Sequence, residues 1–188
     1  MKQKLLVKYH NVLLRSLHED DLETLREFRN QTTSPFLQKL DYITTKAQKN
    51  WFEQNKVDEG CYIFTITETR ELQRVVGSCA LYNFTDTSAE FGRMLIGDGE
   101  AHGRGIGFLS TLLCLYAGFE NFGLQQIVAK VHQDNVAAIK SYFKAGFSRT
   151  NKQHIYSGGG YELEIEVDRA SFFKAHSFID KIQLVLEV

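Results

Sequence analysis

The feature that most constrains the fold of this chain is a glycine-rich turn followed at once by an apolar helix. Residues 98–119 read DGEAHGRGIGFLSTLLCLYAGF and place Gly103, Gly105 and Gly107 directly before apolar residues at helical spacing. Glycine lets the backbone approach a ligand closely, and a helix N-terminus presents unpaired N–H groups and a positive dipole end. The stretch therefore predicts an anion-binding turn, with a purely structural loop as the alternative.

The elements around this turn predict an α/β fold built on one mixed sheet. Alternating apolar residues favour an antiparallel meander of three strands, at residues 61–67, 75–83 and 89–96. A helix from about residue 105 to residue 121 then leads to a strand at residues 126–131. Strands joined through a helix run parallel when they share a sheet, and ligands of such sheets lie at the carboxyl ends of the strands. The binding crevice is therefore expected beside Ile96, the glycine turn and Val131.

We interpret residues 1–188 as a single domain, with a core at about 12–167 and a C-terminal helix and tail at 168–188. The further elements expected in chain order are a strand at 12–16, a helix ending at Asn30, an irregular segment at 31–42, a helix that Gly60 ends, a helix at 135–145, a hairpin at 148–156 and 161–167, a helix at 169–175 and a strand-like tail at 179–188. Helix N-caps are expected at Asp20 or Asp21, Thr44 or Thr45, Asn135 and Asp168. The tail either packs internally or adds a strand to a second subunit, which would give a homodimer.

The composition supports one folded domain, because 188 residues of which 43% are hydrophobic can form a sizeable core. The formal net charge is -1 with acids and bases interspersed, which excludes the basic surface of a nucleic-acid binder. No apolar run is long enough to span a membrane, and the N-terminus lacks the pattern of a secretory signal. Cys61, Cys79 and Cys114 match no disulfide framework, so a cytoplasmic protein is expected. The histidines show no paired ligand spacing, so no metal is expected.

A second polar feature lies on the helix predicted at residues 135–145. Asn135, Ala138 and Tyr142 lie at positions i, i+3 and i+7, so they form one stripe on this helix. Asn135 offers an amide to a ligand, Ala138 permits close approach, and Tyr142 offers a proton. The structural alternative is that Asn135 is only an N-cap and that Tyr142 is a core aromatic residue whose hydroxyl reaches solvent.

These two features together resemble the GNAT superfamily of acetyl-CoA-dependent N-acetyltransferases, over roughly residues 12–167. Residues 102–107 are similar to the pyrophosphate turn R/Q-x-x-G-x-G/A of that family, with His102 in place of the usual Arg or Gln. The second signature, N-x-x-A-x-x-x-Y-x-K-x-G-F, is matched without a gap by Asn135, Ala138, Tyr142, Lys144, Gly146 and Phe147. The resemblance implies a GNAT-like fold with antiparallel N-terminal strands, a central parallel pair splayed around the cofactor, and helices on both faces.

The resemblance also implies acetyl-CoA as the co-substrate and assigns a donor site. Backbone N–H groups of the turn would hold the pyrophosphate, and the pantetheine arm would pair with the backbone of residues 93–96 like an added strand. The donor-site residues are Met94, Leu95, Ile96, His102, Gly103, Arg104, Gly105, Ile106, Gly107, Asn135, Ala138 and Lys144. Arg104 and Lys144 either reach a phosphate or are solvated surface charges.

The catalytic residues implied by the family are Glu90 and Tyr142. Strand alternation places Glu90 on one face with Gly92, Met94 and Ile96, where the family commonly uses a glutamate, directly or through a water, to take a proton from the amine. The structural alternative is a solvated strand start. A backbone N–H near Met94 or Leu95 would hold the oxyanion, and Tyr142 would protonate the thiolate of CoA in a direct transfer.

The acceptor wall implied by the family lies between residues 28 and 52, where Arg29, Asn30, Phe36 and Trp51 are the expected substrate-binding residues, although each of them suits packing equally well. The layout resembles the branch that holds ribosomal-protein N-terminal, spermidine and amino-sugar acetyltransferases. A small-molecule amine or a protein N-terminus is thus the expected partner, and the near-neutral charge disfavours a strongly cationic acceptor unless acids cluster locally. The alternative from another class is a non-catalytic acyl-CoA sensor or docking module.

Overall fold

Nine strands and five helices account for most of the residues that this computed structural model describes, which are 4–37, 40–176 and 179–187. The strands are β1 (Lys4–Tyr9), β2 (Val12–Ser16), β3 (Cys61–Glu68), β4 (Arg74–Tyr82), β5 (Ser88–Ile96), β6 (Gln126–His132), β7 (Ser148–Ile155), β8 (Tyr161–Asp168) and β9 (Gln183–Glu187). The helices are α1 (Leu22–Gln31), α2 (Thr45–Val57), α3 (Ile106–Glu120), α4 (Val136–Lys144) and α5 (Arg169–Ala175). Short 3-10 turns lie at Glu19–Asp21, Gly99–Ala101 and Ile179–Lys181.

The described strands form one mixed sheet in the order β7-β8-β6-β5-β4-β3-β2-β1-β9. Neighbouring strands are antiparallel except β5 and β6, which run parallel and are joined by α3. The parallel pairing joins residues 88–91 to residues 126–129. Beyond these points the described residues of β5 and β6 do not pair with each other. The prediction of a parallel pair that splays apart at its carboxyl end is therefore confirmed.

A β-bulge lies in β5 at the point where it leaves β6. Ala80 of β4 pairs with Gly92 and Ser78 pairs with Leu95, so β5 carries one residue more than β4 over this stretch. Arg93 takes up the extra length with a left-handed φ of 50°. An inserted residue reverses the alternation that follows it, so Leu95 lies on the face of Glu90. The prediction that Met94 and Ile96 share that face is therefore wrong, while Gly92 does share it.

Helices cover both faces of the sheet, as predicted. α3 packs on β1, β2, β4, β5 and β6 with α4 beside it, while α1 packs on β4 and α2. Leu81 belongs to the main core with Leu113 of α3, whereas the adjacent Ala80 belongs to a second cluster with Trp51 of α2. Because adjacent residues of a strand point to opposite faces, α3 and α2 lie on opposite sides of the sheet.

The two ends of the chain meet in the sheet. β1 is absent from the sequence prediction, which starts the core at about residue 12, yet Leu5 and Val7 are buried in the main core. β9 pairs with β1, from Lys4 opposite Glu187 to Lys8 opposite Gln183. The predicted tail is thus a strand that packs internally, and Val188 lies outside the described residues. The homodimer stays a prediction.

Two predicted helix boundaries need correction. Asp21 does not cap α1 with its side chain, because its carboxylate accepts hydrogen bonds from Arg15 at 2.6 Å and 2.5 Å and from the backbone N–H of His18 at 2.9 Å. Thr44 caps α2 by accepting from the N–H of Ala47 at 3.1 Å, but this helix ends at Val57, before Gly60. Asn135 and Asp168 cap α4 and α5 as predicted.

Candidate functional site

A cleft of about 640 Å³ opens where β5 and β6 diverge, and we call it the strand cleft. Its walls come from β5, β6, α4 and the glycine turn. Ten residues of the predicted site line it, namely Phe36, Glu90, Met94, Leu95, Ile96, His102, Gly107, Asn135, Ala138 and Tyr142. The structure thus brings together residues that are far apart in the sequence at the carboxyl end of the parallel pair, as the strand order predicted.

The glycine turn and the first residues of α3 carry a row of backbone N–H groups that make no hydrogen bond within the described protein. Gly103 and Gly105 both have a left-handed φ of 75°, which residues with a Cβ rarely adopt. Hydrogen bonding along α3 begins at Leu109, whose N–H donates to the carbonyl of Gly105 at 3.1 Å. Among the described residues, the N–H groups of residues 103–108 donate to no protein acceptor. Such a run of N–H groups at a helix N-terminus suits an anion.

The side chains around the turn have protein partners. Nε2 of His102 donates to the carbonyl of Ile96 at 2.9 Å, so this ring joins the turn to the end of β5. Arg104 pairs with Glu71 and donates to the carbonyl of Glu100 at 2.5 Å. Their contacts with a phosphate stay predictions.

Lys144, the remaining cation of the predicted donor site, lies on α4. Its Nζ lies 4.3 Å from the ring centroid of Phe108, a distance that suits a cation–π contact. Neither Lys144 nor Arg104 is among the residues that line the strand cleft. A phosphate contact by Lys144 also stays a prediction.

Glu90 is held in place by three side chains. The hydroxyl of Tyr82 donates to its Oε1 at 2.9 Å, Nδ2 of Asn83 donates to its Oε2 at 3.2 Å, and Nζ of Lys130 lies 3.6 Å from Oε2. The Glu90 side chain is only 13% exposed, so the alternative of a solvated strand start does not describe it. Burial and the neighbouring Glu90 carboxylate raise the pKa of Tyr82, which keeps this hydroxyl a donor.

Tyr142 lies on the opposite face of β5 from Glu90. Its ring packs edge-on against Phe91 at 5.4 Å, and Phe91 alternates with Glu90 along the strand. The side chain is 8% exposed and lines the strand cleft, so it is both a core aromatic residue and a cleft residue. Burial raises the pKa of its hydroxyl, and nearby Cys79 and Cys114 add to the effect, so the phenol holds its proton at neutral pH.

The two interpretations of Asn135 also hold together. Its Oδ1 accepts from the N–H of Ala138 at 3.1 Å, which makes it the N-cap of α4, and it lines the strand cleft as well. α4 is anchored at its other end, where Nε2 of His176 donates to the carbonyl of Ala145 at 3.1 Å. The helix that carries Tyr142 is therefore held at both ends.

A second cleft, of about 650 Å³, lies on the face of the sheet that carries α1 and α2, between these helices and strands β3 to β5, and we call it the helical cleft. Its described lining is Leu25, Arg29, Leu37, Leu40, Ile43, Ala47, Gln48, Trp51, Ile63, Ser78, Cys79, Arg93 and Leu95. Leu37, Arg93 and Leu95 also line the strand cleft. The two clefts therefore meet at the β5 bulge.

The predicted acceptor residues divide between these clefts. Arg29 and Trp51 line the helical cleft, while Phe36 lines the strand cleft and packs against His132 with ring centroids 5.2 Å apart. Asn30 lines neither cleft. Its side chain accepts from the N–H of Ile43 at 2.9 Å and donates to the carbonyl of Ile43 at 3.0 Å, so it fastens the loop to α1.

Sequence reasoning missed four titratable residues of the strand cleft and considered only the backbone of a fifth. The four are Tyr82, Lys130, His132 and Glu162, and the fifth is Arg93, which lines both clefts. The pairing of Tyr82 with Glu90 follows from the register of the predicted meander, which was a usable signal. His132 and Glu162 pair across β6 and β8, a contact that no local pattern indicates.

A comparison with known families identifies the chain. The family model of the acetyltransferase (GNAT) domain matches residues 11–148. The chain belongs to the GNAT acetyltransferase family. The match covers more than half of the chain and extends from before β2 to the start of β7, so it includes both signatures and all the described lining of the two clefts except Glu162.

Individual relatives of this GNAT chain are distant. An uncharacterized protein of Methanocaldococcus jannaschii is 28% identical over 148 residues, which are 75% of this chain but only 29% of that protein. The spermidine N-acetyltransferase from Vibrio cholerae in complex with CoA and spermine has a TM-score of 0.76 at 18% identity, over 87% of this chain and 98% of that chain. Apo FdhC, a nucleotide-linked sugar GNAT, has a TM-score of 0.71 at 22% identity, over 87% of this chain and 90% of FdhC. These structures confirm the predicted fold.

Family membership also confirms the predicted enzyme class, an N-acetyltransferase. Within residues 4–37, 40–176 and 179–187, no helix is long and apolar enough to cross a membrane. The same ranges contain no group of three or more His, Cys, Asp or Glu residues placed to hold a metal ion. The single domain, the site residues and the cytoplasmic location stay predictions.

Proposed function

We propose that this GNAT chain transfers the acetyl group of acetyl-CoA directly to a primary amine. The observation that carries the proposal is the meeting of the strand cleft and the helical cleft at the β5 bulge. Glu90 lies on the face of the helical cleft, and Tyr142 lies on the other face of the same strand. One cleft can thus admit an acyl donor and the other an amine, with a base and an acid on either side of the junction.

The strand cleft suits the donor. Acetyl-CoA supplies an activated thioester. The N–H groups of residues 103–108 suit its pyrophosphate. The space beside Gly107 is open, since a Cβ built there would have only Met94 Cε and Ser141 Oγ within 4 Å, each at 3.9 Å. The edge of β5 beyond residue 91 does not pair with β6, so the backbone at Met94 and Leu95 is open to the pantetheine amides on that side, while the carbonyl of Ile96 accepts from His102.

Glu90 is the base of the proposed reaction. Its carboxylate takes one proton from the ammonium form of the acceptor, directly or through a water, so that the neutral amine can attack. Tyr82 and Asn83 fix the direction of this carboxylate, and Lys130 keeps a positive charge beside it. Transfer through an enzyme nucleophile is not needed, because the amine reaches the carbonyl carbon itself.

Tyr142 is the acid of the proposed reaction. Its raised pKa keeps the phenol protonated at rest. A free thiol titrates near ~8.5 and a tyrosine near ~10, so the thiolate is the weaker base and the transfer to it is uphill. The phenol gives its proton to the sulfur as the C–S bond breaks, and the second proton of the attacking nitrogen restores the phenol, directly or through a water. A backbone N–H of Met94 or Leu95 donates to the carbonyl oxygen while negative charge develops there. The bulge supports this role, because it interrupts the pairing of β5 with β4 at this point.

The acceptor classes that remain are a protein N-terminus, a polyamine and an amino sugar. Two solved neighbours are a spermidine acetyltransferase and a nucleotide-linked sugar GNAT, so the fold itself is compatible with more than one of these classes. The competing function is a sensor or docking module that binds acyl-CoA without turnover.

A thiol-release assay with acetyl-CoA and a panel of peptides, polyamines and amino sugars tests the proposal. We expect release that depends on the acceptor, together with a product 42 Da heavier by mass spectrometry, the mass of one added acetyl group. Binding of acetyl-CoA by calorimetry without release for any amine would support the module instead. Failure to bind acetyl-CoA at all would contradict both functions.

A further inference from the structure

The charges around the helical cleft carry an inference about the acceptor that rests on the proposed function. Among the described residues that line this cleft, the charged side chains are Arg29 and Arg93, and no aspartate or glutamate lines it. A polycation entering such a cleft meets positive charge, whereas a carboxylate or phosphate meets two guanidinium groups that can bind it in bidentate fashion. We propose that the acceptor is a primary amine that also carries an anionic group, a carboxylate or a phosphate, beside an apolar or planar body.

Arg93 is fixed at the junction of the two clefts. Its guanidinium stacks over the ring of Tyr82 at 4.9 Å, and its Nη1 donates to Sγ of Cys61 at 3.3 Å. Neither contact neutralises its charge, and no carboxylate of the described residues lies within ion-pair distance of it. An anionic group bound here lies close to the amine that Glu90 serves.

Arg29 supplies the second positive charge from α1. It is half-buried, and burial lowers the pKa of its guanidinium, an effect that the nearby Tyr156 opposes. A partly desolvated cation is stabilised by an anionic ligand more than a solvated cation is, because less water competes for the charge. Arg29 therefore suits recognition of the acceptor.

The carboxylates of the strand cleft do not reverse this balance. Glu90 and Glu162 line that cleft, but Lys130 lies 3.6 Å from Glu90 and Arg93 lines the same space. These acids suit the single ammonium group that is to be acetylated. They leave none of the described acids in the helical cleft for the further cationic groups of a polyamine.

The rest of the helical cleft is apolar. Trp51, Leu25 and Ile63 line its inner part, and Leu37, Leu40 and Ile43 line the side of the loop. An aromatic side chain offers stacking to a planar group as well as apolar contact. The acceptor body is therefore apolar or planar, like the side chain of phenylalanine or a nucleobase.

Matched pairs of amines test this inference. Phenylalanine is compared with phenethylamine for the carboxylate, UDP-glucosamine with glucosamine for the phosphates, and spermidine is the cationic reference. We expect the anionic member of at least one pair to have a kcat/KM about tenfold or more above its neutral partner, and above spermidine. The pair that responds tells the carboxylate from the phosphate.

The variant Arg29→Met then tests whether Arg29 binds the anionic group of the acceptor. It keeps an unbranched side chain of similar length, and we expect the anionic-to-neutral ratio of kcat/KM to fall about tenfold. Arg29→Lys keeps the charge without the planar fork and should give an intermediate fall. Arg70→Met, an exposed arginine on the β3–β4 turn, is the matched control and should leave the ratio unchanged.

Three kinds of result would overturn this inference, and one of them would also overturn the proposed function. Equal kcat/KM values within both pairs, or spermidine as the best acceptor, would overturn this inference and leave the acetyl transfer standing. The same ratio in the wild-type and Arg29→Met proteins would also overturn it, because the anion would then bind elsewhere. Thiol release with none of these amines, nor with any other amine of the panel, would overturn the proposed function and this inference together.

Discussion

The strand cleft and the helical cleft have nearly the same volume, about 640 Å³ and 650 Å³, but they are built in different ways. The strand cleft presents backbone N–H groups, glycines and a balanced set of charged residues. The helical cleft presents residues from two helices, a loop and three strands, and the two charged residues among its described lining are both arginines. A backbone site needs a particular local conformation, whereas a side-chain site needs only distant residues to meet.

Because the two clefts are built differently, the proposed donor site leaves a clearer pattern in the sequence than the proposed acceptor site does. Left-handed glycines and a helix start leave a short, contiguous pattern, so the proposed donor side can be predicted from residues 102–107 together with the second signature at residues 135–147. The acceptor recognition that we propose depends on residues such as Arg29 and Arg93, which line one cleft only after folding. Variants in the two clefts should therefore affect different steps of the reaction.

The largest effect is expected for Tyr142, the proposed acid, which lies on the α3 face of β5. Tyr142→Phe removes the proton for the leaving thiolate and should lower kcat by about 10²-fold or more. Acetyl-CoA affinity, measured by calorimetry, should stay close to the wild-type value because the ring still packs on Phe91. Tyr161→Phe, on an exposed residue, is the control. Unchanged turnover in Tyr142→Phe would remove this residue from the mechanism.

The base on the helical-cleft face should give a loss of similar or slightly smaller size. Glu90→Gln keeps the shape of the side chain but cannot take a proton, so kcat/KM for the amine should fall about 10²-fold at neutral pH. The loss should shrink as pH rises, because solvent then deprotonates the amine. Glu53→Gln on exposed α2 is the control. A loss that does not change with pH would assign Glu90 a purely structural role.

The donor turn can be tested with two glycines that share a conformation. Gly105→Glu places a carboxylate at the N-terminus of α3 and should weaken acetyl-CoA binding by about 10-fold to 100-fold. Gly123 also has a positive φ, 68° against 75°, and a Cβ at either position meets nothing within 4 Å. Gly123→Glu therefore adds the same charge and similar strain beyond the other end of α3. Equal loss in both variants would attribute the effect to strain and contradict the phosphate site.

The wall of the helical cleft should affect the acceptor alone. Trp51→Ala enlarges this cleft, and we expect the KM for the amine to rise about tenfold while the KM for acetyl-CoA changes less than twofold. Trp51 also packs against Cys61 and Ile63, so thermal stability is measured in parallel. A rise in the acetyl-CoA KM instead would mean that the two clefts do not divide the substrates as proposed.

The smallest effect on turnover is expected from a buried acid that is remote from both clefts. Glu68 is 1% exposed; burial alone would raise its pKa, but hydrogen bonds from the N–H of Leu72, the amide of Asn11 and the N–H groups of Arg70 and Glu71 outweigh this and hold the pKa at about 2. A lowered pKa stabilises the fold above the ordinary pKa of about 4.5, and this stabilisation is lost as pH falls from there towards 2.

Glu68→Gln should therefore cost about 1–3 kcal/mol of unfolding free energy at pH 7 and much less at pH 3. Urea unfolding at both pH values measures the difference, and kcat should change little. Glu166→Gln serves as the comparison, since that side chain lies on β8 away from this turn. If the free energy of unfolding had the same pH dependence in wild type and in Glu68→Gln, the lowered pKa assigned to Glu68 would be contradicted.

Much of the fold followed from local patterns. The meander, the parallel crossover and the caps at Asn135 and Asp168 depend on residues close in sequence, and the structure has them where expected. β1 and the pairing of the tail did not follow, because β1 and β9 come from opposite ends of the chain and each is short. The predicted face of Met94 on β5 was also wrong, because simple alternation does not reveal an inserted residue such as Arg93.

By itself the sequence determined the family and the glycine turn before α3, because glycines with positive φ at a helix start are local requirements that specific residue types must meet. It also placed Glu90 and Tyr142 on the right elements. Only the tertiary structure decided that these two side chains lie on opposite faces of β5 and that two clefts meet between them. One inserted residue and the approach of α1 to the sheet set that arrangement, and both depend on contacts between segments that are distant in the chain.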